Sequence, residues 1–447
     1  MSSFVATDRS PGTRSSKGRR ATGDVRRLAL RVLRRVIEHG AYSNLALSAE
    51  LGRASLSKQD RDLASELVRG TLRRRVTLDW YLQQVLDRPV ARVEPSALAV
   101  LELGAYQLLF TRIPAHAAVS ETVSLADERA RGFTNAVLRR LSRRTPELPA
   151  VPDDESISVR TGLVTWAVRE LRRLVPSDEV EPAAAALASQ APLSLRANRC
   201  RATAEDVAAA LRERGAEPRP GGLHPDVLLL DGGDPARLPG FKEGSFAVQD
   251  QASALVVAAL DPQPGERILD ACAGPGGKAA DIACRTEGGQ TVGADLTERR
   301  VQLVAETAQR LGAPVHALVQ DARRPAVREG FDRVLVDAPC SGLGSARRRP
   351  ELLWKPIRND LSRMARLQVA ILSGAASVVR PGGVLVYSVC TFPRAETDAA
   401  CDAFLRTSEG FSPDPFDGPD GRAARMRLWP HRHGTDAMFV ARFRRSP

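Results

Sequence analysis

Two cysteines sit where a thiol could act on a substrate. Cys340 lies in DAPCSGLG (337–344) and Cys390 in SVCTF (388–392). Each follows an apolar run with strand texture, RVLVDAP (333–339) and GVLVYSV (383–389). Side by side in a parallel sheet, such strands bring both thiols to the carboxyl edge, where open α/β sheets bind ligands. One cysteine after a strand is more often a small buried apolar residue than a nucleophile. Two at equivalent positions point to thiol chemistry. Pro339 biases Ala338 to an extended conformation and so helps hold Cys340 at the loop entrance. Ionisation of either thiol needs an electropositive, partly exposed setting.

A second motif lies upstream. RILDAC (267–272) runs into DACAGPGGK (270–278) and a helix. A strand ending in a glycine-rich turn brings backbone N–H groups close to a ligand at the helix N-terminus, and Gly274, Gly276 and Gly277 remove the Cβ atoms that would block approach. Such a turn serves a dinucleotide or S-adenosylmethionine. The dinucleotide fingerprint would need glycine at 279, where the chain has Ala279. Three aspartates are expected to end the following strands. Asp295 is placed to accept from ribose hydroxyls, Asp321 from an adenine amino group, and Asp337 closes the strand before Cys340.

Methylation of a pyrimidine at C5 uses thiols beside S-adenosylmethionine. C5 is too weak a nucleophile to attack a methyl group directly. A thiolate adding to C6 turns C5 into an enamine carbon, which can displace the sulfonium methyl group; removal of the C5 proton and elimination of the thiol then release product. A carboxylic acid near N3 steadies the adduct, and Asp337 can supply it.

These residues need a scaffold. Strands are expected at 267–272, 290–296, 315–321, 333–339 and 383–389, with helices near 277–286, 298–311 and 360–379. This alternation implies a mostly parallel, Rossmann-like sheet covered on both faces, over 241–447. AMFVARF (437–443) reads as a final edge strand. The stretch 163–240 is mixed. Helices near 163–175 and 179–190 precede the extended LSLRANR (193–199), a helix at 204–214 and a strand at DVLLL (226–230), a small α+β segment. Residues 146–162, entered through the Pro- and acid-rich TPELPAVPDDES (145–156), read as a linker. Residues 23–145 show only helical rhythm and read as an all-α bundle. Its first helix spans 25–39, capped by Asp24 and ended by Gly40, with further helices at 59–86, 95–110, 116–129 and 133–143. Residues 1–22 read as a disordered basic tail without the apolar stretch of a secretory signal.

The thiol motifs resemble those of the RNA cytosine-5 methyltransferases related to Nop2/Sun proteins. That resemblance makes Cys390 the nucleophile and Cys340 the residue assisting product release, and it assigns Cys272, Ala273, Gly274, Pro275, Gly276, Gly277, Lys278, Asp295, Asp321 and Asp337 to the cofactor. DNA cytosine-5 methyltransferases use the Pro-Cys cysteine as nucleophile instead, so SVCTF beside DAPCSG favours the RNA branch. Val389 and Gly274 depart from the family's common Thr and Ala. The bundle is similar to NusB, an RNA-binding protein, through RDLASELVRGTLRRRVTLDWYL (61–82), IPAHAAVSETVSLA (113–126) and GFTNAVLRRL (132–141). LSLRANR and FAVQDQASALV (246–256) match the segment preceding the core in the RsmB (Sun, Fmu) family. This domain order implies a methyltransferase for a cytosine in 16S ribosomal RNA, with an RNA-recognition-like middle segment.

Composition agrees with an RNA partner without proving one. The 447 residues are 43% hydrophobic and 26% charged, so most of the chain folds. The net charge is +12, yet only five of the 65 basic residues are Lys, the mark of a GC-rich coding bias. The location says more: residues 1–145 hold 26 Lys/Arg against 14 Asp/Glu, and the remainder is balanced. Candidate phosphate contacts are Arg26, Arg27, Arg31, Arg34 and Arg35, the cluster Arg73, Arg74 and Arg75, and Arg347, Arg348 and Arg349 beyond Cys340. Aromatic residues are only 4%, too few for extensive base stacking. Six cysteines without C-x-x-C spacing suggest reduced thiols in a cytoplasmic protein. No metal or membrane partner is expected, and the chain reads as a monomer. Two other readings are a NusB-like RNA-binding protein with an inactive catalytic domain and a dinucleotide-dependent oxidoreductase. The retained thiols, Asp337 and glycine-rich loop argue against the first, and the loose fingerprint and the thiols against the second.

Overall fold

The computed structural model describes residues 16–355 and 360–447, with side chains from 24 onward. It divides into two compact units, residues 1–150 with Arg349–Glu351, and 151–348 with 352–447.

The first unit is helical: α1 (Ser16–His39), α2 (Ser43–Arg53), α3 (Lys58–Arg73), α4 (Arg75–Val85), α5 (Pro95–Phe110), α6 (Ala115–Val123) and α7 (Glu128–Arg143). Val25, Leu28, Ala29, Val32, Leu33 and Val36 bury the stripe of α1. The central α5 is buried nearly all round; Pro95 occupies its first turn and the Glu94 carboxylate accepts from Ser96 N–H and Ala97 N–H. Three sequence expectations change. Helix α1 begins at Ser16, so Asp24 lies inside it rather than at its cap, and 16–22 are helical; 1–15 of the expected tail lie outside the described residues. The pattern at 59–86 breaks at Arg74, whose N–H turns back to the carbonyls of Gly70 and Leu72. Helix α2 had too weak an apolar rhythm to be read.

The second unit opens with α8 (Asp154–Thr161), α9 (Thr165–Arg172) and α10 (Val180–Leu187), so a helix occupies part of the expected linker. Asp153 caps α8 by accepting from Ser156 N–H. Next come β1 (Leu193–Ala197), α11 (Ala204–Glu213), β2 (Arg219–Pro220), β3 (Val227–Leu230) and β4 (Phe246–Val248), an antiparallel sheet ordered β2-β3-β1-β4. A capping box between Thr203 and Asp206 starts α11, whose Val207 and Leu211 pack on Leu195, Leu228 and Phe246.

The rest is the expected α/β domain: α12 (Gln251–Leu260), β5 (Arg267–Asp270), α13 (Gly277–Ala283), β6 (Gln290–Asp295), α14 (Glu298–Leu311), β7 (Val315–Val319), β8 (Phe331–Asp337), α15 (Leu361–Ala376), β9 (Val379–Val389), α16 (Asp398–Thr407), β10 (Phe411–Pro413), β11 (Phe416–Gly418), β12 (Gly421–Ala423), β13 (Arg425–Leu428) and β14 (Met438–Arg445). The sheet runs β10-β14-β9-β8-β5-β6-β7, with β13 also on β14. Pairs from β7 to β9 are parallel, while β14 runs antiparallel to β9. Strand β14 is not the edge expected of it, because β10 and β13 cover its far side. Ile371, Leu372 and Phe404 from α15 and α16 pack on one sheet face. Val256, Val257 and Ile282 from α12 and α13 pack on the other.

Cys200 and Cys284 form a disulfide, against the expectation of reduced thiols throughout. The partners are 84 residues apart in sequence, but folding brings their Cα atoms to 5.3 Å, inside disulfide range. Beside them Arg196 on β1 reaches α13, with its guanidinium 3.1 Å from the Asp281 carboxylate and both side chains fully buried.

Candidate active site

Strand register builds the site. Asp337, last in β8, pairs with Ser388 in β9. The chain then turns out of the sheet on both strands, so Cys340 and Cys390 emerge side by side. Their sulfurs are 3.4 Å apart. Cys340 packs on the core under α15 and α16, Cys390 on the core under α12. The loops are joined by the Gly344 N–H donating to the Cys390 carbonyl at 3.0 Å and by a 2.7 Å bond between the Ser341 and Thr391 hydroxyls. The hydrogen bond with Cys390 and burial push the Cys340 thiol well above its ordinary pKa.

Asp337 stands beside the thiols and is fully engaged. Lys278 Nζ donates to one carboxylate oxygen at 2.6 Å and Ser388 Oγ to the other at 2.7 Å. Burial opposes the Lys278 charge, but Asp337 and Asp270, with a smaller contribution from Cys390, outweigh it and hold the ammonium above its usual pKa. Lys278 therefore stays cationic, paired with Asp337 and within electrostatic reach of Cys390.

The glycine-rich turn has the expected form. Gly276 has φ of +104°, open to glycine at no steric cost, and its N–H closes the turn on the Ala273 carbonyl. The Gly274–Pro275 peptide is cis. Gly277 opens α13. Cys272 packs against the central core, where burial pushes its thiol up. Gly274 in place of the common Ala has a local reason, since a Cβ there would stand 2.8 Å from an Asp295 oxygen and 2.9 Å from Arg300 Nε. Asp295 ends β6, and one of its oxygens accepts from Gly274 N–H at 3.0 Å and from Arg300 Nε at 2.9 Å. Arg300 also donates to the Gly274 carbonyl at 2.8 Å. Asp321 does not end its strand: β7 stops at Val319, and Asp321 sits in the following turn, where Arg323 grips it and holds its pKa down.

Asp270, last in β5, is the main residue of this centre that the sequence pattern left out of the site, although it opens the glycine-rich motif. It is fully buried, and both carboxylate oxygens lack a hydrogen-bond partner among the described residues. Burial and the nearby Asp337 push it up to about 7. Arg300, Ser388, Gln368 and Glu396 were also missed; they are common polar residues and become significant only through the contacts they make in the fold.

Most candidate RNA-contacting arginines are committed to the protein. Arg26 is buried and donates to Gln107 Oε1 on α5 at 2.6 Å, because it lies on the same helix stripe as Leu30 and Leu33. Arg34 is half-buried, with a 3.4 Å contact to the Ser96 carbonyl. Arg73 is half-buried, Arg74 lies 5.3 Å from the Phe110 ring centre, and Arg75 donates at 3.0 Å to the buried Glu102. Arg347 donates to the carbonyls of Gly434 and Thr435 at 2.9 and 3.0 Å. Arg348 bridges Asp250 and Asp436 at 2.7 and 2.9 Å. These two arginines anchor the loop after Cys340. Arg349 groups with the helical unit. Only Arg27, Arg31 and Arg35 of the candidate set are exposed, the last two within 3.0 and 3.6 Å of Glu50.

Comparison with known proteins agrees with this architecture. Residues 257–444 match the family model for 16S rRNA methyltransferase RsmB/F, 24–143 the NusB family, and 164–236 the RsmF/B-like ferredoxin-like domain. The probable ribosomal RNA small subunit methyltransferase B of Bacillus subtilis is 35% identical over 445 residues, covering 94% of this chain and 98% of its own. The crystal structure of PH0851 superposes with a TM-score of 0.80 at 24% identity, over 93% of this chain and 98% of that one, and supports the fold. NSun6 from Pyrococcus horikoshii, solved with SFG, has a TM-score of 0.56 at 22% identity over 63% of this chain and 97% of that one. With a relative this similar along nearly its whole length and all three family domains in order, the chain belongs to the RsmB family of ribosomal RNA small subunit methyltransferases.

Proposed function

We propose that this protein methylates C5 of a cytosine in 16S ribosomal RNA through a covalent adduct between Cys390 and cytosine C6. The observation that carries this reading is the 3.4 Å approach of the two thiols beside the Lys278–Asp337–Ser388 network. One thiol and one carboxylate would serve many reactions; two adjoining thiols suit a step that forms a carbon–sulfur bond and a later one that breaks it.

S-adenosylmethionine fits the residues present. Gly277 leaves open space at the start of α13, and the buried Asp270 carboxyl at the end of β5, which leads into this turn, has no hydrogen-bond partner among the described residues. Asp295 and Asp321 would hold the nucleoside end, and Cys272 to Lys278 would line the approach. When bound, S-adenosylmethionine supplies an electrophilic methyl group. The chain's own residues prepare the base to receive it. Lys278 favours the Cys390 thiolate, which adds to C6 and makes C5 nucleophilic. Asp337, oriented by Lys278 and Ser388, faces N3 and steadies the adduct. Cys340, held protonated by burial and its hydrogen bond, keeps a proton available beside the carbon–sulfur bond and assists its breakdown once the C5 proton has left. The base must leave its stack to reach these groups.

The test is methylation of 16S RNA by the purified protein with labelled S-adenosylmethionine, followed by bisulfite sequencing. One protected cytosine whose protection requires the protein is the expected result. Label at an atom other than C5 would overturn the reading.

A further inference from the structure

Glu396 is a buried acid for which the mechanism above has no use. It lies in the single turn Arg394–Glu396, six residues after Cys390, with no exposed surface. Its own carbonyl accepts from the Tyr387 hydroxyl on β9 at 2.7 Å, which ties its backbone to the strand that delivers Cys390. Its side chain points the other way. The carboxyl oxygen Oε2 accepts from the Ser341 N–H, the residue next to Cys340, at 2.8 Å. The same oxygen accepts from Gln368 Nε2 on α15 at 3.0 Å, and Gln368 also donates to the Pro339 carbonyl at 3.0 Å, on the other side of Cys340. The peptide units flanking Cys340 are therefore both held from one buried point.

We propose that Glu396 is a positioning residue that holds the Cys340 loop in register against Cys390. The geometry requires an acceptor at this place, not a charge. Burial already pushes the Glu396 carboxyl up, toward its neutral form. Without the acceptor, the Ser341 N–H and the Gln368 amide lose their shared buried partner, and the segment at Cys340 keeps only its outer anchors, the Ser341–Thr391 hydroxyl bond and the Gly344–Cys390 backbone bond. The consequence for release of the RNA adduct rests on the roles proposed above for the two thiols; the placement of Cys340 does not.

The test therefore reads placement directly. Diamide removes two electrons and both thiol protons from a close pair of cysteines, leaving an Sγ–Sγ bond and the reduced hydrazide. The rate of the Cys340–Cys390 cross-link is followed by peptide mass mapping in the full-length protein, without RNA or cofactor. Glu396→Gln keeps the acceptor and is expected to cross-link within about threefold of the wild-type rate. Glu396→Ala is expected to slow by about tenfold or more, since a displacement near 1 Å is costly to a reaction between fixed groups. Glu396→Asp keeps the carboxyl but retracts it by one methylene; it is expected to slow likewise, and it decides the matter if the alanine variant does not fold. A folded alanine or aspartate variant that cross-links at the wild-type rate overturns the proposal. A merely stabilising role would lower the melting temperature and leave the rate unchanged below it. Absence of cytosine methylation by the wild-type protein would leave this readout intact, so the two proposals fail separately.

Discussion

The sulfurs of Cys340 and Cys390 lie 3.4 Å apart, although fifty residues separate them in the chain. The parallel pairing of Asp337 with Ser388 produces this approach, because Cys340 lies three residues beyond Asp337 and Cys390 two beyond Ser388. The thiols are not equivalent. Cys340 is held protonated, whereas Cys390 lies within the influence of the Lys278 ammonium.

This asymmetry makes the two cysteine variants differ in kind. Cys390→Ala is expected to lose methyl transfer by at least about 10³-fold while binding S-adenosylmethionine as before. Cys340→Ser is expected to turn over slowly and to accumulate a protein–RNA species that survives denaturing electrophoresis. Tritiated methyl transfer, calorimetric cofactor binding and gels of the reaction mixture check each outcome. Adduct accumulation in the Cys390 variant instead would exchange the two roles.

Asp270 links the site to stability. Its pKa rises to about 7 in the fold from about 3.9 in the unfolded chain, so between these values the native state binds more protons than the unfolded one. Stability therefore falls as pH rises from about 4 to about 7, and the loss is complete above the folded pKa. Glu102, pushed up to about 8, and Asp436, pushed up to about 6, act in the same direction. Asp270→Asn removes one contribution. In thermal melts without ligand, the variant should gain roughly 2–4 °C relative to wild type at pH 8, with little difference near pH 4. Parallel melting curves for the two proteins across that range would show that Asp270 does not titrate in this way.

The arginines of α1 should separate into two behaviours. Substituting the exposed Arg27 or Arg31 by Ala is expected to lower the slope of log K against log salt for RNA binding by about 1 each, without loss of stability. Arg26→Ala is expected instead to cost about 1–3 kcal/mol of unfolding free energy, because Gln107 loses a buried donor. Filter binding over a salt series and denaturant titration distinguish these effects. An unchanged slope in the exposed variants would mean that the charge excess of the N-terminal third is compositional.

The local signals in this chain were strong. Apolar runs ending in Asp, Cys or a glycine-rich turn marked β5, β6, β8 and β9 and the loops beyond them, since strand periodicity and turn chemistry are properties of neighbouring residues. The same locality explains the failures. Arg26, Arg347 and Arg348 looked like free cations because sequence does not say which face of a helix or loop finds a partner. Strand β14 looked like an edge because β10 and β13 are too short to read. The Cys200–Cys284 pair was invisible across 84 residues.

The sequence by itself determined the inventory, namely two thiols, a glycine-rich turn, the acids near the strand ends and a basic helical N-terminal third. Tertiary structure decided what each member does. Long-range packing sets the electrostatics: burial beside Asp337 makes Asp270 a weak acid, Lys278 is brought within electrostatic reach of Cys390, and Glu396 acquires its contacts only when α15 and the two cysteine-bearing loops converge. Desolvation and hydrogen bonding depend on which distant segments meet, and no local pattern encodes that.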